Sequence, residues 1–127
     1  MRRCVIVSIA ILIFIALVGG ACEGYNAGIE RRYGDGLRLL GAALGERKWR
    51  EARLDAERIA ARWEKEMPWI QLWVNHAETD AVTHALRALQ SSIGEEDRLS
   101  AMLYYDECVE NFAHLRHRDA FTLKNIL

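Results

Sequence analysis

The apolar and polar positions of this chain fall into two regimes. From Cys4 to Cys22 an apolar run, CVIVSIAILIFIALVGGAC, contains no charged residue. Beyond it, apolar residues recur at spacings of three and four, with no strand-like alternation and a single proline, which predicts an all-α chain. As a helix the run 4–22 would reach about 28 Å at ~1.5 Å per residue, just enough to cross a hydrocarbon core of about 30 Å. The next stretch, 23–45, places Leu37, Leu40 and Leu44 on one face but carries six glycines. Each glycine costs a helix about 1 kcal/mol relative to alanine, so helicity here has to come from neighbours or from continuation of the apolar helix. Gly20, Gly24 and Gly28 recur every four residues, the spacing of small-xxx-small contacts. Their position at or beyond the membrane edge favours a flexible juxtamembrane stretch.

Three further helices follow from the pattern. The second, about Glu46 to Glu66, carries an apolar stripe of Trp49, Ala52, Ala56, Ile59, Ala60 and Trp63 that continues to Met67. Its other face holds seven basic and six acidic residues that nearly cancel, which reads as a solvated surface. Pro68 suits the first turn of a third helix, Pro68 to Ile93, where its missing N–H is harmless. That helix shows two apolar faces, one led by Trp69, Leu72, Val82, Leu86 and Leu89, the other by Ile70, Val74 and alanines 77, 81, 85 and 88. A helix with two such faces is expected at the centre of a bundle. Trp73, Asp80, His84 and Arg87 fill the strip between the faces, and Gly94 is expected to supply the positive φ that ends the helix. The acidic Glu95–Asp97 opens a fourth helix, buried through Met102, Tyr105, Val109, Phe112 and Ala113, with cations at its far end. The tail closes on Phe121, Ile126 and Leu127, too apolar to be left in water, and is expected to dock on the bundle. The predicted architecture is an N-terminal transmembrane helix followed by an antiparallel bundle of about four helices in hairpin arrangement. The boundaries are an anchor or signal segment at 1–22, a glycine-containing juxtamembrane helix or linker at 23–45, and the bundle at 46–127.

Charge fixes the expected compartment. Arg2 and Arg3 precede the apolar run, so the positive-inside tendency leaves the rest of the chain outside the cytoplasm, blunted but not reversed by Arg31 and Arg32. Two processed forms compete with an uncleaved anchor. Gly19 and Ala21 suit cleavage before Cys22, and lipidation of Cys22 is a third form, although Gly19 stands where a large aliphatic residue is usual. All three leave an extracytoplasmic domain of roughly 105 residues. Beyond Ala21 there are 15 basic residues (17 less Arg2 and Arg3) against 18 acidic ones, a balance of −3 that argues against nucleic acid as a partner. Cys4, Cys22 and Cys108 make no disulfide framework.

Two sets of side chains have metal-ligand chemistry. His76, Asp80 and His84 stand four residues apart and stack along one helical face with ligand types suited to zinc. Glu107, Glu110, His114 and His117 share a face of the fourth helix. Three ligands spread over two turns need a fourth from another helix, and neither set has the tight spacing of zinc motifs. Asp80 and His84 are therefore expected to pair with each other or with Arg87 inside a buried strip, with His76 in a structural hydrogen bond. No cofactor is expected. No nucleophile elbow, phosphate-binding loop or CxxC pair is present, so the chain does not read as an enzyme.

The segments KWREA, ARWEK, HAETD and the terminal LKNIL resemble, in order and spacing, small single-pass membrane proteins of spore-forming Firmicutes grouped as domain of unknown function 4363. The resemblance spans essentially the whole chain. It is most specific at Trp49 with Ala52, at Trp63, at His76 with Glu78 and Asp80, and at Asn125, Ile126 and Leu127. The glycines after the membrane segment and Pro68 depart from the family's pattern, and both bear on the continuity of the first helix. The resemblance implies a membrane anchor rather than a secreted form, and it brings no assigned activity. The expected protein is a bacterial single-pass membrane protein anchored in the bilayer through residues 4–22. Its extracytoplasmic bundle is expected to bind another membrane or envelope protein or to self-associate, with Trp49, Trp63, Trp69, Trp73, His76, Asp80 and the tail residues Phe121, Ile126 and Leu127 in structural or interaction roles. The alternative is a ligand- or metal-responsive sensor built on the strip around His76, Asp80 and His84.

Overall fold

The computed structural model describes residues 1–124, without the side chains of Arg2, Cys22, Glu23, Asn26, Ala27, Glu30 and residues 116–124. Four α-helices make up the described chain: α1 (Arg2–Gly45), α2 (Trp49–Ile70), α3 (His76–Gly94) and α4 (Arg98–Lys124). The fold is all-α.

α1 runs for 44 residues without a break, about 66 Å at ~1.5 Å per residue. Its first part, Arg3–Ala21, is long and apolar enough to cross a membrane, and none of it is buried in the bundle. Its last part, from Ile29, is a wall of the bundle, with Ile29, Tyr33, Leu37, Leu40 and Leu44 all buried. The stretch 23–45 is thus helix and not a coil linker, and the bundle begins inside α1, well before residue 46. Tertiary packing overrides the glycine cost, as the apolar face at Leu37, Leu40 and Leu44 requires. Two of the glycines have a packing reason. A Cβ at Gly41 would stand 2.5 Å from the Tyr105 hydroxyl, and one at Gly36 would stand 3.3 Å from Ile59 Cγ1. Gly20 and Gly24 face open space.

Consecutive helices are joined by short turns and run antiparallel, and α1 closes the ring by packing on α4. One layer binds all four. Tyr33 of α1 stacks on Phe112 of α4 with ring centroids 4.6 Å apart, and Trp63 of α2 meets both rings edge-on. The Trp63 indole N–H donates to Thr83 Oγ1 of α3 at 2.9 Å, so the largest core side chain buries its single polar atom with a partner. Thr83 in turn donates to the Thr79 carbonyl at 2.9 Å. Among the described residues, no buried side-chain nitrogen or oxygen lacks a hydrogen bond.

The helix ends correct several expectations. Pro68 lies in the last turn of α2, not the first turn of α3, and the chain leaves the helix two residues later at Ile70. α3 starts instead at His76, where the Asn75 side chain accepts from the Ala77 N–H at 3.0 Å and Glu78 occupies the first turn. Asn75 followed three residues later by Glu78 is the sequence signature of a helix start. Gly94 does not carry a positive φ. It is the last residue of α3, and Glu96 takes the left-handed conformation at φ 56°. The same geometry ends α1, with Arg47 at φ 55° after Gly45. In both turns two backbone hydrogen bonds run back into the helix, Lys48 to Ala43 and Arg47 to Leu44 after α1, Asp97 to Ser92 and Glu96 to Ile93 after α3. These are Schellman motifs whose left-handed position is held by a charged residue rather than by glycine.

Candidate functional site

α3 buries one broad face, through Thr79, Val82, Ala85, Leu86, Leu89, Ser92 and Ile93, and not two. His76, Asp80, His84 and Arg87 lie on the side away from it and are all exposed, as is Ala77. The expected buried pairing of Asp80 with His84 or Arg87 therefore does not form, because the strip faces water and has no need of internal partners. Glu107, Glu110 and His114 of α4 are likewise exposed, and the His117 side chain is outside the described set. Among the described residues, no three His, Cys, Asp or Glu side chains come together as metal ligands would.

The four tryptophans separate into two classes. Trp63 is core and Trp49 is half-buried against it. Trp69 and Trp73 are instead exposed by 66% and 52%, contrary to the large-face position expected for Trp69, and Leu72 between them is also exposed. The α2–α3 turn is pinned from inside by the buried Ile70 and Val74, whose backbones are joined by a 3.0 Å hydrogen bond. This leaves Trp69, Leu72 and Trp73 pointing outward. Both indoles border an open hollow of ≈ 510 Å³ that Val18, Ala21 and Tyr25 of α1 complete. Phe121 has no described side chain, and Ile126 and Leu127 lie outside the described residues, so the docking expected of the tail falls outside this structure.

Just above that hollow a polar chain crosses from α1 to α2. The Arg32 guanidinium carbon lies 5.1 Å from the Tyr25 ring centre, and Arg32 Nη1 is 3.6 Å from Glu66 Oε1. The Tyr33 hydroxyl donates to the other oxygen, Glu66 Oε2, at 3.0 Å. Burial, and then the bond to Glu66, push the Tyr33 hydroxyl far above its ordinary titration range, so it acts as a fixed donor. Burial likewise pushes the Cys108 thiol up to about 12, which makes it inert as a nucleophile near neutral pH. Arg31, Arg32, Arg58 and Arg62 line an adjacent open cleft of ≈ 790 Å³ with Asp35 and Asp55.

Tyr25, Tyr33 and Glu66 have no site role in the sequence pattern, and Arg32 enters there only through its charge. Tyr33 was within its reach, since it precedes Leu37 by four residues on the same face as Leu40 and Leu44. Glu66 was not, because only the fold brings it to Tyr33 across 33 positions.

The arrangement offers an apolar-aromatic surface beside the end of a membrane-length helix, and a set of paired charges above it. No curated protein and no solved structure gives a significant match to the chain. The model of a domain of unknown function, DUF4363, matches residues 33–126, which takes in the bundle from the Tyr33 layer of α1 almost to the C-terminus. The chain is a member of the DUF4363 family.

Proposed function

We propose that this protein is a membrane-anchored, extracytoplasmic helical module that works as an interaction or accessory subunit beside another membrane or envelope protein. The observation that carries this reading is the continuity of α1. One helix holds an uncovered apolar segment, Arg3–Ala21, and eight residues later, at Ile29, a wall of the bundle. Nineteen uncovered residues of this kind are far more apolar surface than a water-soluble monomer carries, and lipid is the solvent that suits them. Arg2 and Arg3 favour a cytoplasmic N-terminus and an external bundle. The buried Trp63 indole and Tyr33 hydroxyl are engaged in joining helices, which leaves the outer faces for partners. Leu99 and Leu103, one turn apart on α4, are exposed by 84% and 63% and form the apolar pair most open to a partner protein. A ligand sensor around His76, Asp80 and His84 draws no support from a strip that encloses nothing.

The test uses the full chain in its own membrane, with a photoreactive residue at Leu103. Retention in the membrane after alkaline carbonate, together with a discrete adduct to another envelope protein, is the expected result. Release by carbonate would overturn the anchor, and adducts indistinguishable from those of a charged face position such as Glu57 would overturn the partner site.

A further inference from the structure

The outward side chains of the α2–α3 turn are the wrong kind for water. Trp69, Leu72 and Trp73 are each more than half exposed, whereas the neighbouring Ile70 and Val74 are buried in the bundle. The two indoles close a hollow with Val18 and Ala21, residues of the apolar segment itself, and with Tyr25 one turn above Ala21. Whatever solvent surrounds the last turn of Arg3–Ala21 therefore also meets Trp69 and Trp73.

We propose that the α2–α3 turn is a second membrane contact, in which Trp69 and Trp73, flanking Leu72 and joined by Tyr25, sit in the headgroup boundary of the outer leaflet and seat the bundle on the bilayer. The proposal rests on α1 being a membrane anchor, since that sets the height of the turn. Lipid is the occupant because the surface is continuous with the lipid-facing segment and shares two of its residues. The side chains have the chemistry of that boundary: indole and phenol combine an apolar body with one polar atom and concentrate where hydrocarbon meets headgroups. Lys65, exposed one turn before Trp69 on the same side of α2, stands about 6 Å further from the apolar segment. Basic side chains at that height reach phosphate while their stems cover apolar surface.

The experiment reconstitutes the full chain in phosphatidylcholine vesicles brominated on the acyl chains, either near the headgroup or near the methyl end, and reads tryptophan emission. Wild type is expected to lose the share of emission that Trp69 and Trp73 supply, more with bromine near the headgroup. The Trp69→Phe/Trp73→Phe variant, left with Trp49 and Trp63, is expected to lose almost none. If the double variant fails to fold, a polarity-sensitive dye on Trp73→Cys takes its place, expected blue-shifted in vesicles and not in detergent-free buffer. Wild-type emission untouched by either lipid, in a chain that floats with the vesicles and resists carbonate, would overturn the seat and leave the anchor standing. A chain that does not float would overturn both. Quenching that vanishes as protein is diluted into lipid, with a disulfide between copies of Trp73→Cys, would assign the surface to a second copy and overturn the lipid contact.

Discussion

Asp80 and His84 look alike in sequence to residues of a buried polar strip, yet their side chains stand in water, and the energetics follow from that placement. Substituting exposed residues away from caps and buried networks changes stability by no more than about 0.5 kcal/mol, so Asp80→Ala and His84→Ala are expected to leave the melting temperature of the full chain in detergent close to wild type. A clear drop in either variant would mean that the strip is covered in the native protein. Cys108 gives the opposite case, a fully buried group on which burial has a large effect. Its folded titration point is raised from the model-compound value of 9.0 to about 12, chiefly by burial. The folded state therefore holds this proton more tightly than the unfolded chain. The stability linked to it is fully present below about pH 9 and is lost as pH rises through 12, by about 1.4 kcal/mol for each unit over that window. Urea midpoints measured from pH 8 to 11 are expected to fall less steeply in Cys108→Ala than in wild type. Tyr33, also raised, keeps a residual alkaline slope above pH 10 in both proteins.

At the scale of elements, the helices were legible where apolar periodicity is strong and were misjudged where small or turn-forming residues set the boundary. Leu37, Leu40 and Leu44 marked the bundle face of α1, and Trp63 with Ala56 and Ile59 marked α2, since large side chains at helical spacing have one way to be buried. The alanines of α3 carried no such information. Ala77 is exposed and Ala85 buried, because alanine fits either side of a helix surface and only neighbouring helices decide. Gly94 drew the left-handed position to itself, although the hydrogen-bonded closure falls on Glu96, two residues on. The matching closure at Arg47, at the same end of the bundle, is open to improvement. A left-handed non-glycine residue costs about 1–2 kcal/mol, so Arg47→Gly is expected to raise stability by about 1 kcal/mol, read as a higher urea midpoint with unchanged slope. The glycines of α1 divide by their surroundings. Gly34→Ala, with nothing within 4 Å of the new Cβ, is expected to gain about 1 kcal/mol from helix propensity. Gly41→Ala is expected to forfeit that gain, because the Tyr105 ring must move aside.

For the whole molecule, the all-α class and an apolar N-terminal helical segment followed by a bundle were readable from the pattern alone, since both depend on long-range periodicity and composition. The candidate site was not. It depends on Trp69 and Trp73 folding back to the level of Val18 and Ala21, a proximity set by the length of α2 and the position of its turn, which the proline concealed. The uninterrupted α1 has one more consequence, in rotational phase. Because no coil separates the apolar segment from the bundle, azimuth is carried along the helix: each inserted residue turns everything above it by about 100° and lifts it ~1.5 Å. One alanine inserted after Gly24 would swing Leu99 and Leu103 to a different side of the anchor. Seven would bring them back within about 20° of the original bearing, raised by ~10 Å. Adducts formed from Leu103 are expected to vanish with the first insertion, and a loss with seven as well would show that height above the bilayer counts as much as bearing. A neighbour that grips the apolar segment would by the same geometry also decide which way the bundle faces.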